Sequence, residues 1–352
     1  MPLDFLIIGQ GLAGTCLAHQ LRSKGKSFKI LQNNALPSSS KVAGGMFNPV
    51  TGKRLALTWK QEELFDYMQF FYKRLEHKLE ANFLHIIPIY RPYKNENQKS
   101  QFTKAIEKKN IGHLVSSVEP LPSLDGLVDG PLGGILTNQS GRLDVPEFLT
   151  ASSHFFNSIN SLEEGHFDSE KLIIGSDSVE YQNQTFKNVV FCQGIHSEKN
   201  PLFNWLPLKL VKGETLDISL EGHSLDLILN QGSWVMPLHD GKYKMGSTYD
   251  WDNLNFDITT EARETILEKT ANFLKCKPKV LAQFAGIRPA VIDRRPILGS
   301  HPKHKNVFIL NGLGTKGVSL APLMANILLE HILDGKEIDS ESTINRFYPL
   351  YS

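Results

Sequence analysis

Two glycine clusters near opposite ends of the chain constrain its fold most: Gly9-Gln10-Gly11-Leu12-Ala13-Gly14 and Gly312-Leu313-Gly314-Thr315-Lys316-Gly317. Each lies between a run of strand-forming residues and a helical pattern. A glycine turn feeding a helix N-terminus leaves backbone N–H groups and the positive end of the helix dipole pointing into the loop, which suits an anion. Two such loops predict one long anionic ligand gripped at both ends.

The periodicity around the clusters predicts a dinucleotide fold. Asp4 to Ile8 is a short apolar run, Gly11 to Lys24 has a helical pattern, and Ser27 to Leu31 is a second apolar run. Helical stripes follow over Trp59 to Asn82, Gln98 to Lys109, Thr259 to Leu274 and Gly317 to Leu333. Phe83 to Tyr93, Val189 to Phe191, Leu208 to Leu220 and Val307 to Leu310 read as strands. Trp234 to Leu238 and Lys242 to Thr248 flank Asp240-Gly241, a tight-turn pair, so the middle of the chain predicts an antiparallel sheet. The expected fold class is α/β, or α+β in two domains. A Rossmann-like FAD/NAD(P)-binding domain would comprise 1–80, 141–205 and 286–352, and a mainly antiparallel substrate domain 81–140 and 206–285.

Composition removes several function classes. With 352 residues and 41% apolar content the chain can bury a substantial core. Its 38 basic and 37 acidic residues give a net charge of +1, so overall charge offers no attraction to nucleic acid or an anionic membrane. Cys16, Cys192 and Cys276 match no CxxC or zinc spacing, and the histidines are scattered; the expectation is a reduced, cytoplasmic protein without a metal. The apolar stretch Val318 to Leu333 carries Glu330 and His331 and is short for a membrane span. Zinc-protease, nucleophile-elbow and phosphate-loop signatures are all missing.

In the first cluster, Gly9 suits a tight turn, Gly11 admits a pyrophosphate to the backbone, and Gly14 permits close helix packing. A flavin dinucleotide meets the demand of both clusters, because its pyrophosphate is anionic and its ring gains negative charge on reduction. The chain resembles the FAD-dependent D-amino-acid oxidase family over nearly its whole length. The resemblance is carried by Gly9 to Gly14, Ala43-Gly44-Gly45-Met46, Val190-Phe191-Cys192-Gln193-Gly194, Gly286-Ile287-Arg288-Pro289 with Asp293 and Pro296 to Gly299, and Gly312 to Pro322. Within that family it is similar to glycine and sarcosine oxidases and to the FAD domain of a tRNA wobble-uridine-modifying enzyme.

The resemblance implies FAD as cofactor, with Gly9, Gly11, Leu12, Ala13, Gly14, Gln32, Gly45, Met46, Cys192, Gly194, Arg288, Gly312, Gly314, Thr315, Lys316 and Gly317 around it. Gly45 and Met46 would border the flavin ring, and Gly312 to Gly317 would present backbone donors to its pyrimidine edge, where they would stabilise the reduced ring. Lys316 either adds its charge there or faces solvent. Arg288 either holds a substrate carboxylate through its guanidinium fork or closes a structural ion pair, with Asp293 as partner. Met46, Trp234, His239 and Tyr249 are the further candidates for the substrate wall. Gln32 stands where relatives carry the acid that binds the adenosine ribose.

The leading expectation is hydride removal from the carbon beside an amine of a small amine or amino-acid substrate, with transfer to flavin N5, oxygen being a possible acceptor. Three alternatives remain: oxidation of a modified uridine on tRNA, a nicotinamide-dependent dehydrogenase, and a flavin-binding protein without turnover.

Overall fold

The computed structural model describes residues 1–351. Its first sheet is built on the N-terminal strand Leu3–Ile8, whose Phe5, Leu6, Ile7 and Ile8 are buried, as a strand covered on both faces must be. Parallel neighbours run Leu162–Glu164, Phe28–Gln32, Leu3–Ile8, Gln184–Phe191 and His304–Asn311. Leu172–Ile174 and Val179–Tyr181 form an antiparallel meander leading into Gln184–Phe191, and Ile297–His301 pairs with His304–Asn311 as a hairpin. The helices Leu12–Ser23 and Gly317–Asp334 bury their apolar sides against this sheet in one core with the helices Gln61–Leu79 and Val145–Ser158.

The second sheet is ordered Lys279–Val291, Leu208–Ser219, Lys242–Gly246, Trp234–Pro237, Ile228–Asn230, Ile89–Pro92, Gly134–Thr137, Val115–Val118. Its pairings are antiparallel apart from Ile228–Asn230 beside Ile89–Pro92. The turn joining Trp234–Pro237 to Lys242–Gly246 has positive φ at both Asp240 (56°) and Gly241 (67°), as the sequence pair demands. The helix Thr260–Ala271 packs on this sheet and is capped by Thr259, whose hydroxyl accepts from the Ala262 amide.

Three sequence expectations are corrected. Phe83 to Tyr93 is two strands, Leu84–Ile86 and Ile89–Pro92, in different sheets: Pro88 has no N–H to continue a ladder. The first joins Met46–Phe47 and Gly141–Leu143 in a small antiparallel sheet. The expected boundary at 285/286 falls inside the continuous strand Lys279–Val291, so Arg288 belongs to the second sheet although its motif adjoins the elements of the first. The helix Val145–Ser158 was not expected. Asp144 caps it, accepting from the Glu147 amide, and Pro146 sits in its first turn, where a missing N–H costs nothing.

Candidate FAD site

A cavity of about 640 Å³ opens where the two sheets meet, and both glycine clusters line it. At its first end the chain leaves Leu3–Ile8, turns at Gly9 (φ +103°) and enters the helix Leu12–Ser23. Close packing requires these glycines: a Cβ on Gly14 would lie 1.9 Å from the Gly9 carbonyl oxygen, and one on Gly9 would lie 2.6 Å from the Cys192 carbonyl oxygen. Several loop amides already have partners. Gly9 N donates to the Leu31 carbonyl, Gln10 N to Gln32 Oε1 at 2.6 Å, and Leu12 N to Ser40 Oγ at 3.2 Å. The amides of Gly11 and Ala13, at the helix start, have none among the described residues, as an anion cradle requires.

Gln32 thus braces the glycine loop through its carbonyl oxygen, while its Nε2 donates to the Asn33 carbonyl at 2.9 Å. Gln32 and Asn33 both line the cavity, so one Nε2–H and the Asn33 side chain are the polar groups at the expected ribose position. Cys192 and Gly194 form the adjoining wall after the strand Gln184–Phe191. Burial pushes the Cys192 thiol pKa far up, so the group is an inert neutral packing element.

At the second end Gly312 and Gly314 adopt positive φ (74° and 54°) and deliver the chain into Gly317–Asp334. The two clusters meet here: a Cβ on Gly317 would lie 3.2 Å from Leu12 Cδ1. The donor set differs from the one expected. Gly312 N donates to Asn311 Oδ1 at 2.8 Å, Gly314 N to the Pro289 carbonyl and Lys316 N to the Leu313 carbonyl, so these three amides are consumed by the turn itself. Leu313 and Thr315, which line the cavity, retain amides with no protein partner among the described residues. Gly317 follows as the first helical residue, whose N–H precedes the helix ladder.

Gly45 and Met46 lie on the cavity wall beside Gly44. Gly45 has φ +73°, and a Cβ there would sit 1.9 Å from the Leu143 carbonyl oxygen, so only glycine brings this loop to the small sheet. Trp234 closes the same wall, its ring 2.9 Å from where a Gly44 Cβ would be.

Arg288 enters the cavity from the second sheet. Its Nη2 donates to Ser247 Oγ at 3.0 Å, and its Nη1 reaches the carbonyls of Thr248 (3.3 Å) and Lys212 (3.5 Å). Its Cζ lies 4.8 Å from the centre of the Tyr249 ring, a cation–π contact. No carboxylate pairs with it among the described residues; Asp293, the expected partner, binds Arg346 instead at 2.8 Å. Burial lowers the Arg288 pKa, yet a guanidinium keeps its charge at any ordinary pH. Of its five N–H groups, Nε–H and one on Nη2 are left over, a pair that fits a carboxylate in two parallel bonds.

Two candidates point elsewhere. Lys316 Nζ donates to Thr58 Oγ1 at 3.2 Å and lines not this cavity but a neighbouring one, which shares Met46, Tyr249 and Thr315 with it. Burial, with Arg295 nearby, lowers its pKa. His239 lies away from the site: it follows the strand Trp234–Pro237 out to the small sheet, where Nε2 meets Asp144 Oδ2 at 3.0 Å and Arg142 Nη2 at 3.2 Å. There the fold also gathers histidines that the sequence left scattered, since the ligand atoms of His85, Asp144 and His239 lie within 4.8 Å of one another. Arg142 Nη1 donates to Asp144 Oδ2 at 3.1 Å and so neutralises the negative charge that this carboxylate would otherwise offer a metal. Sequence reading missed Gly213, which a Cβ would bring to 2.1 Å from Arg288 Nη2; its place opposite the Gly-x-Arg-Pro motif appears only once the strands Leu208–Ser219 and Lys279–Val291 are paired.

The free amides at both ends, the glycines with no room for a Cβ and the cavity spanning both sheets fit FAD. The solved structure of glycine oxidase from Bacillus cereus superposes on this chain with a TM-score of 0.77 at 21% identity, covering 95% of this chain and 96% of that one. Iminodiacetate oxidase from Chelativorans sp. BNC1 gives a TM-score of 0.74 at 17% identity, covering 97% and 99%. These likenesses describe the fold. In sequence the chain is 22% identical to the tRNA 5-methylaminomethyl-2-thiouridine biosynthesis bifunctional protein MnmC of Pseudoalteromonas atlantica, over 93% of this chain and 55% of the relative. It is 28% identical to glycine oxidase of Bacillus licheniformis over 37% of this chain and 36% of the relative. The chain spans about half the length of the MnmC relatives it matches. No helix among the described residues is long and apolar enough to cross a membrane. The FAD dependent oxidoreductase (DAO) family matches residues 4–331, and with that match the chain is a member of this family of FAD-dependent enzymes.

Proposed function

We propose that the chain oxidises the C–N bond of an amine whose carboxylate is anchored by Arg288. The observation that carries this reading is a half-buried guanidinium on the cavity wall, fixed by Ser247, Thr248 and Tyr249, with no carboxylate of the described residues on it. A charge partly withdrawn from water in this way is stabilised when an anionic ligand completes it.

When bound, FAD supplies the two-electron acceptor. The amides of Gly11 and Ala13 would hold its pyrophosphate, and those of Leu313 and Thr315 would face the ring. Arg288 fixes one end of the substrate, and Tyr249, Met46 and Trp234 supply the apolar surface that excludes water and orients the amine. The substrate enters as the neutral amine, so no general base is required of the chain. Glycine oxidase and iminodiacetate oxidase, by their names, act on amino acids of this class, and molecular oxygen as final acceptor follows from the same analogy.

Arg288→Ala is expected to keep the bound flavin's spectrum and to raise KM for a carboxylate-bearing amine by about tenfold or more, the worth of one charge-assisted contact. An unchanged KM would return Arg288 to a purely structural role. A second reading, oxidation of an aminoalkyl group on tRNA, is favoured by the MnmC match along 93% of the chain. It requires tRNA binding that weakens steeply with salt.

A further inference from the structure

A second cavity, of about 700 Å³, adjoins the first through Met46, Tyr249 and Thr315. Its chemistry differs sharply from that of its neighbour. Four basic side chains line it, Lys53, Arg91, Lys94 and Lys316, together with seven side-chain amides, and no carboxylate does. None of the four cations forms a salt bridge among the described residues.

Arg91 is the informative member. It lies on the strand Ile89–Pro92, is only 8% exposed, and stacks over Phe102 with its Cζ 5.2 Å from the ring centre. Among the described residues its single acceptor is the Gly52 carbonyl, at 3.2 Å from Nη1, which leaves its other N–H groups without a partner there. Taking a guanidinium out of water with one neutral acceptor is costly unless an anion joins it. Lys53 and Lys94 are exposed at the rim, and Lys316 reaches the same space from the loop that lines the first cavity. The start of the helix Glu96–Lys109 also opens here, with Asn95 as its cap.

We infer that this second cavity binds a phosphate-ester part of the amine substrate. The inference rests on the amine-oxidation reading. The amine would lie at the shared residues Met46, Tyr249 and Thr315 while the phosphate meets Arg91 and the three lysines. A phosphate ester suits this set better than one further carboxylate. It carries up to two charges on three acceptor oxygens, enough for a planar fork and separate lysine point charges at once. The amides then offer partners to hydroxyl or base groups between phosphate and amine, and a cavity this large exceeds the needs of a simple amino acid.

Protein loaded with FAD, so that the glycine cradle is filled, is titrated calorimetrically with inorganic pyrophosphate at constant ionic strength. Saturable binding is expected, weakened about tenfold or more in the Lys53→Gln/Lys94→Gln double variant and in Arg91→Gln, with the flavin spectrum unchanged. The double variant alters two exposed side chains and so keeps the test open if Arg91→Gln fails to fold. Absence of binding, or equal affinity in wild type and double variant, overturns the inference. A mononucleotide and a short single-stranded RNA then separate the sources: equal affinities point to a small phosphorylated amine, and much tighter RNA binding points to a strand-borne one. No turnover is involved, so a failure to oxidise amines is seen separately from a failure to bind phosphate.

Discussion

Gly213 shows how one missing methyl group shapes the site. It lies on the strand Leu208–Ser219, paired with Gly286, and the space its Cβ would take is filled by the Arg288 guanidinium, 2.1 to 2.3 Å away. The clash would be with the far end of a flexible side chain and not with backbone. Gly213→Ala should therefore fold and bind FAD while displacing the guanidinium from Ser247 and Thr248. Its KM for a carboxylate-bearing amine is expected to rise to a value like that of Arg288→Ala, and the double variant to be no worse than either alone. Additive losses would show that the two residues act separately. At this scale the sequence was legible where a motif stood in one stretch, as with the tight turn and close helix packing at Gly9 and Gly14. It was not legible where the partner comes from a distant strand: Gly213 has no local signature, and the exclusion of His239 depends on where a hairpin ends.

Among elements, the helix Val145–Ser158 couples the dinucleotide loop to the rest of the fold. Ser153 Oγ accepts from Gln10 Nε2 at 2.7 Å, and Ser152 Oγ meets His19 Nε2 at 2.9 Å. His19, on the helix Leu12–Ser23, is buried among Phe148, Phe155 and Phe156. Burial, reinforced by Lys78 and Arg74, holds its pKa down at about 3, against 6.5 for the free side chain. Above pH 6.5 His19 is neutral in both folded and unfolded chains and contributes no pH dependence. Below it the unfolded chain takes up a proton that the folded one refuses, so stability falls as pH drops from about 6.5 towards 3, by up to about 1.4 kcal/mol per pH unit. Thermal melts between pH 7 and 5 should show a steeper loss for wild type than for His19→Leu; equal slopes would assign the acid sensitivity to other groups. The signal for this helix, Asp144-Val145-Pro146-Glu147, was present in the sequence, but its apolar stripe is short and interrupted by Ser152, Ser153 and His154. The strand Lys279–Val291 escaped notice for a related reason: its alanines and its Gly286, which makes room for Val42, weaken its β signal.

Across the whole molecule, the glycine clusters that begin and end the chain converge because Leu3–Ile8 and His304–Asn311 both flank Gln184–Phe191 and point the same way. Parallel strands deliver both turns, and the helix starts behind them, to one edge of the sheet, the usual place for a ligand in such folds. The second sheet then sets Arg288 and Tyr249 against that edge. The pattern of glycines made the cofactor legible from sequence; which amides are left unpaired among the described residues, alternating as Leu313 and Thr315 between bonded neighbours, required the turn itself. The proposed division of labour, with one sheet binding FAD and the other anchoring the amine, is tested most directly by mixing FAD-loaded protein with amines in the absence of oxygen and following the flavin's visible absorbance. Amines bearing a carboxylate are expected to bleach it, and to do so far more readily than the same amines without one. A flavin that stays coloured with every amine and amino acid offered would contradict the account.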